Sequence, residues 1–381
     1  MTYLSHKIKL KDITKEQNQY FLKACGVARF AYNWALNQWN QNGNKNSKFN
    51  NFEARKHLNS IKRKQYPWMM EVTKCAVQCA ILDLDKAFKN HYKNPKHFHY
   101  PKFRRKFVHA SFTLSNEQFE VNTDKIWIPK LGWVKMCECL RFGKDTKLIS
   151  ATVSHQADGW YVSICVDAEP KSLTIPKTNT KVGIDLGIDT LATLSNGEKH
   201  NGSKPLKRLL GKIKKLQRSL SRKQKGSNNW HKAKTKLAKL HLRIRNIRQD
   251  CLHKLTTYIA NNFHTVVIED LNVKGMMKNH KLARAISDMG FYEFKRQLTY
   301  KIVLRGGKLF VANRWFASSK TCHCCGYKVE SMPLSIRNWQ CPDCQTVHDR
   351  DVNAAKNLVS LLTGSSSALT LVDSQQCLSS K

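Results

Sequence analysis

The sequence predicts a protein of the α/β class with an additional small antiparallel β-barrel. Short β-type runs cluster between 110 and 168 and are separated by turns such as Leu131-Gly132 and Asp158-Gly159, a pattern typical of a small barrel. After about residue 180, β-type runs alternate with helical patterns, which indicates a mixed α/β sheet. A chain of 381 residues is long enough for two or three domains.

Three helical patterns separate a first short strand, Lys7–Leu10, from the barrel region. The first helix follows a capping-box sequence at Thr14–Gln17, and the others are predicted over Asn51–Lys64 and Glu71–Tyr92. Their aromatic residues repeat at helical spacing. This repeat favours a packed helical core over a row of base-stacking side chains.

The charge of the chain indicates a polyanionic partner. The formal net charge is +39, far more than solubility requires, so nucleic acid is the expected partner. No apolar run approaches the ~18 residues of a membrane span, and no membrane partner is expected. The thirteen cysteines are odd in number and scattered, which does not fit a secreted disulfide framework and favours a reducing cytoplasm.

A basic and aromatic segment, Lys93–Phe107, links the helical patterns to the barrel region. Its cations, including Lys102, Arg104 and Arg105, alternate with aromatic rings. Cations that meet phosphates and rings that meet bases are typical of nucleic-acid contact. The alternative is a solvated linker, and the basic character of the whole chain favours contact.

Carboxylates occupy positions where a purely structural role is difficult to justify. Asp185 lies inside the β-type apolar run Val182–Asp189, and Glu269 ends another such run. Asp349 and Asp351 open a helical pattern. Burial of an ionised carboxylate is costly unless it is paired or binds metal, although an acid at a strand end can also cap a turn. Acids that converge at one sheet edge would suit two Mg²⁺ or Mn²⁺ ions.

A long acid-free region runs from Lys199 to Gln249 and contains eighteen Lys or Arg residues. Its apolar residues predict two helices that turn at Gly226–Asn229. A basic face is usually only solvated, but one without counter-charges over this length favours a phosphate backbone. The cations predicted to meet phosphates are Lys212, Lys215, Arg218, Arg222, Lys232, Lys236, Lys239 and Arg243.

Four cysteines have the C-x₂-C-x₁₅-C-x₂-C spacing of a zinc ribbon: Cys322, Cys325, Cys341 and Cys344. Four thiolates complete a tetrahedral site and leave no open position for catalysis. The predicted Zn²⁺ is therefore structural. His323 and Cys324 are possible competitors as ligands, but neither lies at the spacing of a knuckle.

These features together resemble the TnpB/OrfB family of transposon-encoded proteins. The resemblance covers nearly the whole chain before residue 364. The matching motifs are Gly183–Gly187, Val267–Leu271, Ser319–Gly326, Arg337–Cys341 and His348–Ala355. The resemblance implies an RNA-guided DNA endonuclease with one RuvC-type, ribonuclease H-like site that cuts double-stranded DNA beside a short adjacent motif. It also implies catalytic Mg²⁺ or Mn²⁺, structural Zn²⁺, a guide RNA, a double-stranded DNA target, and one protein chain per RNA.

The resemblance assigns the three catalytic acids residue by residue. Asp185, Glu269 and Asp351 match the family's acids. Asp349 is the alternative for the third acid, but Asp351 directly precedes the motif Val352–Ala355, as the family's acid does. Asp349 could instead cap the helix.

The resemblance also implies a domain order. A wedge β-barrel comprises residues 1–12 and 101–170, and a helical recognition unit at 13–100 is inserted into it. A RuvC-like domain follows at 171–317, with an inserted zinc ribbon at 318–348, a last helix at 349–363 and a disordered tail at 364–381.

Two other functions remain open at this point. A transposase would use a similar acidic triad, but would recognise transposon ends and bind DNA without RNA. A non-catalytic regulator would have lost an acid of the triad, and none is lost here.

Overall fold

The computed structural model describes residues 3–41, 49–106, 110–142, 146–167, 176–333, 335–363 and 368–372. The chain divides into two compact units, Met1–Glu169 and Pro170–Lys381. None of the helices in the described residues is long and apolar enough to cross a membrane.

The first unit contains the three predicted helices. They are α1 (Lys15–Gln41), α2 (Asn51–Gln65) and α3 (Cys75–Lys93). The capping box at the start of α1 is confirmed, because the backbone N–H of Gln17 donates to Thr14 Oγ1 at 3.1 Å while the N–H of Thr14 donates to Gln17 Oε1 at 3.2 Å. The third helix begins later than predicted, since Pro67–Glu71 forms a separate 3₁₀ turn.

Seven strands are also found among the described residues of the first unit. They are β1 (Tyr3–Lys9), β2 (Ser111–Ser115), β3 (Glu120–Asn122), β4 (Lys125–Ile128), β5 (Gly132–Lys135), β6 (Lys147–Gln156) and β7 (Gly159–Asp167). Two antiparallel sheets form, in the orders β1-β7-β6-β2 and β3-β4-β5, and a bridge pairs Leu10 with Met136. The predicted first strand and the β-type runs predicted between 110 and 168 are present as strands. Closure of these sheets into one barrel stays a prediction.

Aromatic side chains pack the helices of the first unit onto its larger sheet. Phe21 of α1 is fully buried, and its ring centroid lies 5.0 Å from that of Trp160 in β7 and 6.1 Å from that of Phe112 in β2. Tyr32 lies about three helical turns after Phe21 on the same face of α1 and is also buried. The aromatics of α1 are therefore core residues, as the helical repeat predicted.

The second unit is built on a mixed sheet in the order β10-β9-β8-β11-β12-β15. Its strands are β8 (Lys181–Asp185), β9 (Ala192–Leu194), β10 (Lys199–His200), β11 (Thr265–Glu269), β12 (Lys308–Ala312) and β15 (Leu369–Leu371), and a separate hairpin comprises β13 (Asn338–Gln340) and β14 (Val347–Asp349). The central strands β8, β11 and β12 are parallel, and the outer pairs are antiparallel. The mixed α/β sheet predicted from the alternation is confirmed.

The described residues of the second unit contain six helices. They are α4 (Pro205–Ser221), α5 (Asn228–Asn262), α6 (Val273–Met276), α7 (Ala283–Met289), α8 (Phe291–Val303) and α9 (Arg350–Ser360). The turn between α4 and α5 falls where predicted, and Gly226 adopts the left-handed conformation there (φ 89°). Ile213 and Ile244 are buried in these helices. The short helices α6 and α7 have too few turns for a periodic signal and were not predicted.

The prediction of a disordered tail over 364–381 is wrong for part of that range. Leu369–Leu371 forms strand β15, which pairs antiparallel with β12, so that Leu369 lies opposite Ala312. A three-residue strand is too short for sequence periodicity. It forms because β12 would otherwise leave a row of backbone donors and acceptors unpaired at the sheet edge. Residues 364–367 and 373–381 lie outside the described residues.

Helix α9 packs unusually close to strand β8. A Cβ atom at Gly183 would lie only 2.1 Å from the carbonyl oxygen of Ala355 and 3.0 Å from a methyl group of Val359. Ala354 and Ala355 are fully buried at this contact. Small residues on both elements thus allow the helix to approach the sheet. Asp351 lies in the first turn of the same helix.

Candidate active site

Three carboxylates meet at one edge of the mixed sheet. Asp185 ends β8 and Glu269 ends β11, and these strands run parallel with Ile184 opposite Ile268. The ends of neighbouring parallel strands lie at the same sheet edge, so the two acids are neighbours. Asp351 comes to this edge on α9, which packs on β8. The structure therefore brings together the three acids that the sequence selected.

The surroundings of Asp185 and Glu269 disfavour the ionised form of both side chains. Burial raises the pKa of Asp185 well above its ordinary value, and the charges of Glu269 and Asp351 raise it further. Burial also raises the pKa of Glu269; a hydrogen bond from Ser318 opposes that shift, and the charge of Asp351 adds to it. Like charges in a poorly solvated place disfavour ionisation. A cation at this edge would relieve that repulsion.

The three carboxylates do not form a single tight ligand shell. Among the described residues, every group of three or more metal-binding side chains whose ligand atoms all lie within 4.8 Å of one another consists of cysteines with or without His348. The oxygen atoms of Asp185, Glu269 and Asp351 are more widely spaced.

Asp349 has a structural task of its own. Its Oδ1 accepts hydrogen bonds from the backbone N–H groups of Asp351 and Val352 at 3.1 and 3.0 Å, which makes it the N-cap of α9. Its Oδ2 lies 2.6 Å from Lys199 Nζ. Burial alone would raise the pKa of Asp349. The hydrogen bond and charge of Lys199 and the two backbone donors have the larger combined effect, so the pKa is lowered. The expectation that Asp349 caps the helix is confirmed.

Two side chains of the site had no predicted role. Ser318 Oγ donates to Glu269 Oε1 at 2.6 Å and fixes that carboxylate. Arg337 joins two acids, because Nη1 lies 3.4 Å from Asp351 Oδ1 while Nη2 donates to Asp189 Oδ2. Sequence reasoning found Arg337 only as part of a motif. Serine and arginine are common surface residues, and no local pattern reveals contacts with acids that are distant in the chain.

The four ribbon cysteines form a cluster. All four Sγ atoms lie within 4.8 Å of one another; Cys322 and Cys344 are 3.6 Å apart, and Cys325 and Cys341 are 3.5 Å apart. His348 was not predicted here, and its Nε2 lies 3.0 Å from Cys322 Sγ. The clustering predicted from the spacing is confirmed.

Asparagines of α9 attach the cysteine cluster to the acidic site. The buried Asn353 and Asn357 both donate to the backbone oxygen of Thr321, at 2.7 and 2.6 Å. Asn357 also donates to the backbone oxygen of Ser318 at 2.8 Å, and Ser318 in turn holds Glu269. One helix therefore carries an acid of the site and anchors the segment that leads into the ribbon.

The basic residues predicted to contact nucleic acid have two kinds of environment. Lys102 and Arg105 are exposed, whereas Arg104 stacks over Tyr32 at 3.9 Å and pairs with Asp83 at 3.1 Å. All eight predicted cations of α4, α5 and the turn between them are exposed. In the part of the chain that the structure describes, none of those eight forms a salt bridge with a carboxylate. These eight charges are available to an external polyanion.

Three family models match separate parts of the chain. Residues 163–280 match the OrfB_IS605 model, described as "Probable transposase". Residues 291–358 match "Cas12f1-like, TNB domain", and residues 1–48 match "Helix-turn-helix domain". The second match covers the cysteine cluster and most of α9.

Curated relatives and a solved structure extend over most of the chain. A Streptomyces pristinaespiralis protein named "Putative RNA-guided DNA endonuclease" is 40% identical over 78% of this chain and 74% of its own length. A similarly named Escherichia coli K12 protein, InsQ, is 32% identical over 88% of this chain and 86% of its own length. The fold is similar to that in "Cryo-EM structure of the Cas12f1-sgRNA-target DNA complex", with a TM-score of 0.59 and 15% identity over 91% of this chain and 83% of that one. The chain therefore belongs to the TnpB/OrfB family.

Proposed function

We propose that this protein is an RNA-guided DNA endonuclease with one active site, formed by Asp185, Glu269 and Asp351. The observation that carries the proposal is the meeting of three acids from separate elements at one sheet edge, where burial and neighbouring carboxylates raise the pKa values of Asp185 and Glu269. A fold gains no stability from such a cluster, so a functional reason is required. The names of the relatives at 40% and 32% identity support nuclease chemistry as that reason.

The donor set of the acidic site fits Mg²⁺ or Mn²⁺, because all three side chains offer hard carboxylate oxygens. Nucleases that hold two ions roughly 3.5–4 Å apart use carboxylates of this kind. When bound, such ions activate water and stabilise the leaving oxygen of a phosphodiester. The chain itself fixes the geometry: Ser318 orients Glu269, and the cap at Asp349 holds the first turn of α9, which carries Asp351.

Target choice would come from base pairing with a guide RNA. In guided nucleases of this type the protein reads the shape of the guide–target duplex and a short adjacent motif, while the RNA reads the sequence. The charge of +39 and the acid-free face of α4 and α5 provide the necessary affinity for the phosphate backbone. We expect one protein chain per guide RNA.

Alanine substitution of each acid tests the active site. Asp185→Ala, Glu269→Ala and Asp351→Ala should each abolish guided cleavage of duplex DNA, because each removes oxygen ligands of the ions. Binding of guide RNA and target should remain. Cleavage is measured on labelled duplex DNA with Mg²⁺, and binding by gel shift in the same buffer.

Asp349→Ala is the matched control for the third acid. It removes the cap of α9 and the ion pair with Lys199, so it should cost about 0.5–2 kcal/mol of stability and retain cleavage. Cutting by Asp351→Ala together with loss of cutting in Asp349→Ala would reverse the assignment. A reaction mixture without RNA should show no cleavage, and cutting at transposon ends without RNA would favour a transposase.

We further propose that Cys322, Cys325, Cys341 and Cys344 hold one structural Zn²⁺. A tetrahedral site with Zn–S bonds of about 2.3 Å places neighbouring sulfurs roughly 3.8 Å apart. The observed separations of 3.5 and 3.6 Å are close to that value. His348, at 3.0 Å from Cys322 Sγ, would orient that sulfur from outside the ligand set.

Metal analysis tests the cysteine cluster. The purified chain should contain about one zinc, and Cys341→Ser/Cys344→Ser should lose it and unfold at a lower temperature, since metal binding contributes to folding. Cys324→Ser should retain the zinc, because Cys324 lies outside the proposed ligand set. An unchanged zinc content in the double variant would contradict the assignment.

We also propose that the exposed cations of α4 and α5 lie along the guide–target duplex. Each phosphate contact releases a counterion. A plot of log affinity against log salt concentration therefore has a slope near −0.9 for each contact. Replacement of Lys212, Arg218, Lys232 and Lys239 by Gln should therefore reduce the magnitude of this slope by about three to four. It should also weaken the binding of all target sequences to the same extent.

The matched control for this variant removes the same charge from lysines that already have carboxylate partners: Lys11, Lys23, Lys89 and Lys254. Their replacement by Gln should change the salt slope much less. If the α4–α5 variant keeps the slope and affinity of the unmodified protein, its basic face is only solvated and the proposal is wrong.

A further inference from the structure

An exposed indole lies in the loop between β12 and Ser318 and has no role in the proposed chemistry. Trp315 is 87% exposed, the largest exposed fraction among the large hydrophobic residues of the described chain. Burial of so large an apolar side chain would stabilise the fold, and an exposed tryptophan does not contribute this stabilisation. A tryptophan held in water in this way is typical of a binding residue.

The loop that carries Trp315 is fixed by hydrogen bonds. The backbone N–H of Trp315 donates to Asn313 Oδ1 at 2.9 Å, and the N–H of Asn313 donates to the backbone oxygen of Ala368 at 2.9 Å. The guanidinium of Arg314 is paired with Asp270, the residue after Glu269. The indole is thus presented from an ordered turn.

Both ends of this loop are attached to Glu269. Before the loop, Ala312 in β12 is the register partner of Glu269 in β11. After the loop, Ser318 Oγ donates to Glu269 Oε1 at 2.6 Å. Trp315 lies three residues from each of these two attachments. Trp315 is therefore carried in the middle of a short loop whose two ends are attached to an acid of the proposed active site.

We propose that Trp315 stacks on an unpaired base of the DNA strand that enters the acidic site. This inference rests on the proposed nuclease function and adds a positioning residue to it. A nucleobase has a flat π-face that matches an indole, and contacts of this kind tolerate any sequence, as a guided enzyme requires. The excess of positive charge on the chain favours a nucleic-acid ligand over an apolar protein partner.

Stacking on Trp315 would select for opened DNA. Within a duplex both faces of a base are covered by its neighbours, so only an unpaired base can offer a face to the indole. The strand would then be held by its base at Trp315 while its phosphate lies at the acids. Cleavage would be coupled in this way to local separation of the strands.

A combination of protein variants and abasic substrates tests this contact. Single-turnover cleavage of a guided duplex is measured for the unmodified protein, Trp315→Ala and Trp315→Phe, on DNA with one abasic nucleotide moved stepwise through the cut region. Trp315→Ala should slow cleavage of intact DNA about tenfold, whereas Trp315→Phe, which keeps a ring, should stay near the unmodified rate. The melting temperature and target affinity should not change.

The decisive result is whether the loss of rate caused by Trp315→Ala and the loss of rate caused by an abasic nucleotide are coupled. One abasic position beside the cut should slow the unmodified protein about as much as Trp315→Ala does, and should not slow Trp315→Ala further. Phe52→Ala, which removes another exposed ring from α2, should show no such coupling. If Trp315→Ala cuts at the unmodified rate, or if the two losses multiply, the stacking role is overturned. If the unmodified protein does not cut, the nuclease proposal fails, and this inference fails with it.

Discussion

The close approach of helix α9 to strand β8 at Gly183 is the constraint on which the acidic site depends. A side chain at this position would overlap the backbone of Ala355, which a Cβ atom would meet at 2.1 Å. With glycine there, the helix lies against the strand that ends in Asp185, and its first turn delivers Asp351. The asparagines further along α9 then anchor the segment that contains Ser318, and Ser318 fixes Glu269. This contact thus brings Asp351 to the two acids that the parallel strands β8 and β11 already place side by side.

That packing has an electrostatic consequence. The pKa values of Asp185 and Glu269 are raised in the folded chain, first by burial and then by their acidic neighbours. Without a cation, the folded state therefore binds protons more readily than the unfolded state. The stability contributed by these groups is present at low pH and is lost as pH rises through their folded pKa values. Binding of the proposed divalent cation would offset this penalty.

Much of this organisation could be predicted from the sequence, because it depends on local patterns. Strands β11 and β12 begin and end where the apolar runs do, and the spacing of Cys322 and Cys325 is itself the geometry of a knuckle. Arg337 and β15 could not be predicted in the same way. The role of Arg337 arises from contacts with Asp189 and Asp351, and β15 exists because β12 offers a free edge. Such features depend on tertiary neighbours that no local pattern records.

A melting experiment on Gly183→Ala tests most directly whether the Gly183 contact sets up the proposed cation site. For the unmodified protein, Mg²⁺ at about 100 times its Kd should add roughly 2.7 kcal/mol to the stability of the nuclease unit. Gly183→Ala should lose on the order of 1–3 kcal/mol through overpacking and most of that Mg²⁺ effect, because α9 is displaced. Gly211→Ala, where a Cβ meets nothing within 4 Å, should keep the full effect. A Gly183→Ala protein with the unmodified melting temperature and the full Mg²⁺ effect would contradict the account.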